Sequence, residues 1–132
     1  MKFEYYNPSD ESKSCVVRTM TKLTGKEYDI VKAELTALAK SLRCETYNDE
    51  KVFGQYMADH DIYKIKECNN TTVGELELND GIYCIYSTNH NGFFHLIPVI
   101  DNVIYDRRND SLQMYVIAVY KKKKTCTTFE EG

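Results

Sequence analysis

The feature that most constrains this chain is a single change in the spacing of its apolar residues, near residue 60. Before that point they recur at the interval of an amphipathic helix. After it they alternate, or form short runs bounded by turn residues, as in β-strands. Helices followed by a mostly antiparallel sheet make an α+β pattern.

The apolar spacing and the turn residues also predict the bounds of the elements. The expected helices run from Cys15 to just before Gly25, from about Tyr28 to Arg43 and over about 48–59, and the expected strands are Ile62–Lys66, Ile82–Ser87, Phe93–Ile100, Val103–Asp106 and Met114–Lys121. Residues 5–14 are expected to form a loop whose last residue, Ser14, caps the first helix. A capping-box pattern from Thr72 to Glu75 predicts one helical turn.

Length and composition narrow the class of protein. The 132 residues predict a single domain, which we assign to residues 1–121, with 122–132 as a flexible tail. The hydrophobic and charged fractions, 42% and 28%, are those of a globular protein, and the net charge of −3 argues against a nucleic-acid partner. The longest apolar run, Leu96–Ile100, is too short to span a membrane, and the N-terminus does not resemble a signal peptide.

The cysteines favour a reducing compartment, and we expect a cytoplasmic protein. The chain has five cysteines, Cys15, Cys44, Cys68, Cys84 and Cys126. The number is odd and no pair has the C-x-x-C spacing of a zinc ribbon. We expect Cys44, Cys68 and Cys84 to be structural and Cys126 to be a tail thiol. His60 and His90 have no patterned partner, so neither a metal nor a cofactor is predicted.

One cysteine has the position of a nucleophile. Cys15 opens the first predicted helix, where unpaired backbone N–H groups and the helix dipole lower a thiol's pKa. The same N–H groups can donate to an oxyanion formed beside the sulfur. A cysteine nucleophile also needs a base within hydrogen-bonding reach, and the base needs an orienting partner.

The second half of the chain supplies such a pair. Asp101-Asn102 is expected to be a two-residue hairpin loop, because both residue types tolerate positive φ. This register pairs Ile97 with Asp106 across the hairpin, so that Asp106 becomes the diagonal neighbour of His95 on the same face. A carboxylate there can fix the imidazole tautomer and stabilise the imidazolium. Read singly, a helix-start cysteine and a strand histidine are more often structural than catalytic.

Three stretches in this order carry a family resemblance. The first stretch has three parts: Tyr5-Tyr6-Asn7-Pro8, Ser14-Cys15-Val16-Val17-Arg18 and Thr24-Gly25-Lys26-Glu27-Tyr28-Asp29. The second is Thr72-Val73-Gly74-Glu75-Leu76 followed by Gly81-Ile82-Tyr83. The third is residues 95–106. Together they resemble the papain-like cysteine peptidase superfamily. Within it they are most similar to small phage and gut-bacterial forms and to bacteriocin leader peptidases.

The resemblance implies a helical subdomain that carries the nucleophile and packs on a small antiparallel sheet. By position, Cys15 would be the nucleophile, His95 the general base and acid, and Asp106 the orienting acid. Papain-like enzymes usually place an oxyanion-hole Gln shortly before the cysteine. That position is Ser9 here, and no Gln precedes Cys15, so Asn7 is the nearest amide donor.

Two further departures leave two functions open. The small relatives tend to have an acidic residue before the cysteine and an aromatic one after the aspartate, where this chain has Ser14 and Arg107. The polar stretch 106–111 means either that the site accepts an acidic substrate or partner, or that the chemistry has been lost. The first hypothesis is therefore a thiol-dependent acyl-transfer enzyme acting on a peptide or protein, whether peptidase, deamidase or transglutaminase. The second is an inactive binding module on the same fold, such as a phage protein that inhibits a host defence protein.

Overall fold

The structure is a computed structural model that describes residues 1–9, 11 and 15–123 of the chain. The predicted helix cap at Ser14, the thiol of Cys126 and the tail from residue 124 onward lie outside these residues.

Three helices precede most of the sheet, as the apolar spacing predicts. The helices are α1 (Cys15–Thr24), α2 (Tyr28–Ser41) and α3 (Glu50–Asp59), and the strands are β1 (Lys2–Tyr5), β2 (Ile62–Glu67), β3 (Ile82–Thr88), β4 (Phe94–Ile100), β5 (Val103–Asp106) and β6 (Tyr115–Lys122). Short 3₁₀ turns cover Val73–Glu75, which has the predicted capping box, and Asn109–Gln113. No helix in the described part of the chain is long and apolar enough to cross a membrane.

The strands form one six-stranded sheet in the order β1-β5-β4-β3-β6-β2. The α+β class is confirmed, but the expectation of an antiparallel sheet is wrong at one edge. There β1 pairs in parallel with β5, with Lys2 opposite Val103 and Tyr5 opposite Asp106. β6 comes last of the six in sequence, yet it lies inside the sheet between β3 and β2.

The sheet separates two apolar cores. On one face α1, α2 and α3 bury side chains such as Met20, Leu35 and Phe53 against Leu96 of β4. On the other face the two 3₁₀ turns and the N-terminus cover the second core, whose buried residues include Val73, Ile97 and Ile104. The end of the sheet at which β4 begins is therefore bordered by helices on one side and by 3₁₀ turns on the other.

The hairpin between β4 and β5 fixes the relation of the predicted site residues. Asp101 and Asn102 both have positive φ, 49° and 65°, which confirms the predicted two-residue loop. The ladder itself contains only two pairs, Val99 with Ile104 and Ile100 with Val103. The predicted pairing of Ile97 with Asp106 is wrong, because β4 and β5 separate beyond those two pairs.

Helix α1 packs against β4, and a buried threonine of the helix is hydrogen-bonded to the strand. Thr19 is fully buried, and its Oγ1 donates a hydrogen bond of 2.9 Å to the Leu96 carbonyl oxygen. This bond satisfies a strand carbonyl inside the protein, where an unpaired one would be costly. Residues four apart lie on the same face of a helix, so the contact of Thr19 with β4 also brings Cys15 to this strand.

Candidate active site

Cys15 is the first residue of α1 and is partly buried. The first backbone N–H groups of a helix have no partner within it and carry the positive end of the dipole. His95 and the backbone of Leu96 lie close enough to this thiol to lower its pKa, and Cys15 and His95 line the same cavity. The structure therefore brings together the first two of the three residues that the sequence selects.

The third residue completes the arrangement. His95 Nε2 lies 2.7 Å from Asp106 Oδ2, although the two residues are not on a continuous ladder. Since Asp106 holds Nε2, Nδ1 is the nitrogen left for the Cys15 thiol. A carboxylate that holds one imidazole nitrogen in this way sets the tautomer and the ring orientation.

The Asp106 carboxylate is buried and accepts four hydrogen bonds. Oδ2 accepts from His95 and from the Ser111 hydroxyl. Oδ1 accepts from the Arg107 backbone N–H at 2.7 Å and from Arg18 Nη2 at 3.2 Å. Burial raises the pKa of this carboxyl, but the hydrogen bond and charge of His95, with the bonds from Ser111 and Arg107, hold the pKa below its ordinary value. The carboxylate is therefore ionised at neutral pH.

The thiol and the imidazole shift each other's pKa in opposite directions. Burial lowers the pKa of His95, but its hydrogen bonds to Asp106 and Cys15 and the charges of both groups raise it to about 9. Burial raises the pKa of Cys15, but the hydrogen bond and charge of His95, the Leu96 backbone and the charge of Arg18 hold it below its ordinary value. Both shifts favour a thiolate beside an imidazolium, which is the reactive form of a cysteine nucleophile.

Arg18 is a fourth charged member of this cluster, and sequence analysis gave it no role. It lies one turn after Cys15 on α1, is only 3% exposed and forms an ion pair with Asp106. With Arg18 and His95 positive and Asp106 and Cys15 negative, the charges of the reactive state sum to zero. The one signal in the sequence is a lone arginine within the otherwise apolar or uncharged first half of a short helix.

A cavity of about 660 Å³ opens beside Cys15, His95 and Asp106. Its wall on the helix side includes Phe53, Tyr86 and Phe94, together with Asn48, the residue just before the α3 cap. Its opposite wall is formed by residues 107, 108, 110, 111 and 114, which belong to the segment after β5. Sequence analysis did not foresee the aromatic wall or Asn48, since their meeting depends on how α3 packs on the sheet.

An oxyanion hole needs hydrogen-bond donors beside the reacting thiol, and Asn7 is the side chain that the sequence offers for this role. Asn7 follows β1 and is half-buried; its Oδ1 is buried and without a hydrogen-bond partner in the described part of the chain. It is not among the residues that line the cavity. Its role as an oxyanion donor stays a prediction, and the backbone N–H groups at the start of α1 are the other candidate donors.

The weaker candidates lie elsewhere. His60 caps α3 at its C-terminal end, with Nδ1 2.7 Å from the Tyr56 carbonyl oxygen, and the ring of His90 packs edge-on against Tyr115. Cys84 is fully buried, and burial raises its pKa. Within the described ranges, no group of three His, Cys, Asp or Glu side chains is arranged to hold a metal ion.

No family model, curated protein or solved structure matches this chain.

Proposed function

We propose that this chain is a papain-like cysteine peptidase, or a related thiol-dependent enzyme that transfers the acyl group of an amide. The observation that supports the proposal most directly is that Cys15 and His95 line one cavity and shift each other's pKa, while the buried Asp106 holds His95 Nε2 at 2.7 Å. The roles follow from the chemistry: Cys15 is the nucleophile, His95 the general base and acid, and Asp106 the orienting group. The reaction needs no metal or cofactor.

The proposed reaction has two halves. His95 Nδ1 takes the thiol proton, and the thiolate forms a bond to the amide carbonyl carbon while the carbonyl electron pair moves onto oxygen. Backbone N–H groups at the start of α1 stabilise this oxyanion. The C–N bond then breaks, and the imidazolium gives its proton to the leaving amine.

The second half releases the acyl group from the thioester on Cys15. A water gives a proton to His95 and adds to the carbonyl carbon, after which the C–S bond breaks and the thiolate returns. A carboxylic acid is the product when water is the acceptor, and a new amide is the product when an amine takes its place. A catalytic thiol must stay reduced, and we propose a cytoplasmic location, where thiols are kept reduced.

The first test is the alkylation rate of Cys15 against pH, followed peptide by peptide by mass spectrometry. The wild-type chain is compared with His95→Ala, and Cys44 and Cys68, which are partly buried like Cys15, serve as internal controls. We expect an apparent pKa for Cys15 below the ordinary thiol value of about 8.5, and a higher one in His95→Ala. A Cys15 that titrates like the control thiols would contradict the proposal.

The second test is turnover. Cys15→Ala is expected to remove hydrolysis of peptide amides while the circular dichroism spectrum stays unchanged. Cys15→Ser is the matched variant that puts a hydroxyl in the place of the thiol. Full activity in Cys15→Ala would refute the proposal.

A binding module on the same fold is the second candidate, and one observation favours it. Phe93 and Phe94 are 68% and 61% exposed beside the cavity, as in a surface that meets a protein partner. This candidate predicts a stable complex with a target protein, such as a host defence protein, whose affinity is the same for wild type and Cys15→Ala. An affinity that depends on the Cys15 thiol, or turnover of the target, would favour the enzyme.

A further inference from the structure

We infer that the cavity selects an extended peptide segment with a large apolar side chain on one side of the reacting amide and a carboxylate side chain on the other. The inference rests on the proposed function and adds a substrate class to it. It depends on the two walls of the cavity, which differ in both polarity and charge.

The helix-side wall is a series of aromatic rings in contact, the first pair edge-to-face and the second pair tilted. The centroids of Phe53 and Tyr86 lie 5.3 Å apart, and those of Tyr86 and Phe94 lie 5.6 Å apart. The series runs from Phe53, which is buried in the helix-side core, to Phe94 at the surface. Packing below holds the inner rings in place, so the outer rings present a preformed apolar surface. Such a surface suits an aromatic or large aliphatic side chain.

The opposite wall carries one uncompensated positive charge. The Arg108 guanidinium is paired with the Asp110 carboxylate at 2.8 Å. Arg107 lines the same cavity and is exposed, and its side chain has no ion-pair partner among the described residues. Its backbone is fixed, since its N–H is bonded to Asp106. The position next to the orienting carboxylate therefore places a free guanidinium beside the reacting centre, in a chain whose net charge is −3.

The two walls also differ in the charges near them, and this difference sets the direction in which a peptide lies across the cavity. Burial raises the pKa of the Tyr86 phenol, and the charges of Glu50 and Asp49 raise it further, so these two carboxylates lie near the helix-side wall. A substrate carboxylate is repelled there and attracted to Arg107. Cys15 and His95 line the same cavity as both walls. A peptide across the cavity thus has its apolar side chain against Phe94 and its acidic side chain against Arg107.

The test compares cleavage of a peptide library by wild type, Arg107→Glu and Phe94→Ser, with Lys40→Glu as the control. Lys40 is exposed on α2 and is not among the cavity residues, so its reversal makes the same change in net charge away from the site. We expect wild type to favour Asp or Glu, and Arg107→Glu to favour Lys or Arg at the same subsite. The ratio of cleavage rates should change by about tenfold, because an exposed attraction is replaced by a repulsion of similar size.

Phe94→Ser should lose the preference for large apolar side chains by about tenfold or more and keep the acidic preference. Lys40→Glu should retain both preferences. The inference is overturned if Arg107→Glu changes the ratio no more than Lys40→Glu does, or if Phe94→Ser keeps the apolar preference.

A second readout separates this failure from failure of the proposed function. 4-Nitrophenyl acetate is small and uncharged, so it acylates a reactive Cys15 without using either wall. If this ester acylates Cys15 in every variant and the variants leave the peptide preferences unchanged, the inference is wrong and the proposed function stands. If neither ester nor peptide acylates Cys15 in wild type, both are wrong.

Discussion

Replacing Arg18 by Met should cost considerably more stability than removing the charge of Lys22, which lies on the same helix. Arg18 Nη2 and Asp106 Oδ1 lie 3.2 Å apart, and their side chains are 4% and 3% exposed. At an effective dielectric constant of about 20, two unit charges at this distance attract by about 5 kcal/mol. Desolvation offsets part of this attraction, and removing one partner of a buried pair typically costs about 3–5 kcal/mol.

The remaining hydrogen bonds to Asp106 keep the expected loss of stability near the lower end of this range. Without Arg18 the carboxylate keeps its hydrogen bonds to His95, Ser111 and the Arg107 N–H, so it is not left bare. We therefore expect Arg18→Met to lower the free energy of unfolding by about 3 kcal/mol. The pKa of Cys15 should also rise, because the charge of Arg18 is one of the causes that lower it.

Urea unfolding at neutral pH, followed by tyrosine fluorescence since the chain has no Trp, measures the first effect. The matched control is Lys22→Met, one turn further along α1. Lys22 Nζ lies 4.0 Å from the centroid of the Tyr105 ring, an interaction worth about 0.5–1 kcal/mol. The reasoning is refuted if Arg18→Met costs no more than Lys22→Met, or if Arg18→Met combined with Asp106→Asn costs as much as the two single variants together.

Three further predictions follow from the same geometry. In Cys15→Ser the raised pKa of His95 contributes stability that is fully present below its unfolded pKa near 6.5 and is lost as pH rises through its folded pKa. The free energy of unfolding should therefore fall over that pH range. Adding Asp106→Asn should make the free energy of unfolding less dependent on pH over the same range. Ser111→Ala removes a buried hydroxyl bonded to Asp106, so it should lower the free energy of unfolding by about 1.5–3 kcal/mol and slow peptide hydrolysis less than Asp106→Asn does; a rate equal to that of Asp106→Asn would contradict the ranking. Asn102→Ala should cost about 1 kcal/mol in thermal unfolding because φ is 65° there, whereas Asn102→Gly should be nearly neutral; equal costs would refute the turn argument.

Local patterns in the sequence predict much of this fold. The three helices and the strands from β2 onward are long or regular enough for their apolar spacing to show them, and their bounds agree with the structure within a few residues. The Asp101-Asn102 turn fixes the face of β4 and β5, which is why His95 and Asp106 could be selected before any contact was known. That contact is local, since it spans a single hairpin.

Non-local contacts account for what the sequence did not show. β1 has only four residues, and its partner strand β5 lies about 100 positions later, so nothing nearby indicates a strand. β4 and β5 pair only next to their turn, and α1 packs against β4; no hairpin rule describes either feature. Arg18 looks like an ordinary helix arginine until Asp106 is placed beside it.

The position of β6 has a consequence for the order in which this protein can fold during synthesis. In the described part of the chain β2 pairs only with β6, and β3 pairs with β6 on one side, so neither is completed until about residue 122 has left the ribosome. Cys15 and its helix emerge long before His95 and Asp106 do. A nascent chain thus carries the thiol without its base, and a chain stopped before β6 lacks the strand that joins β2 to the rest of the sheet. We expect such truncated chains to remain unfolded, and the reactive thiolate to arise only as a late product of folding.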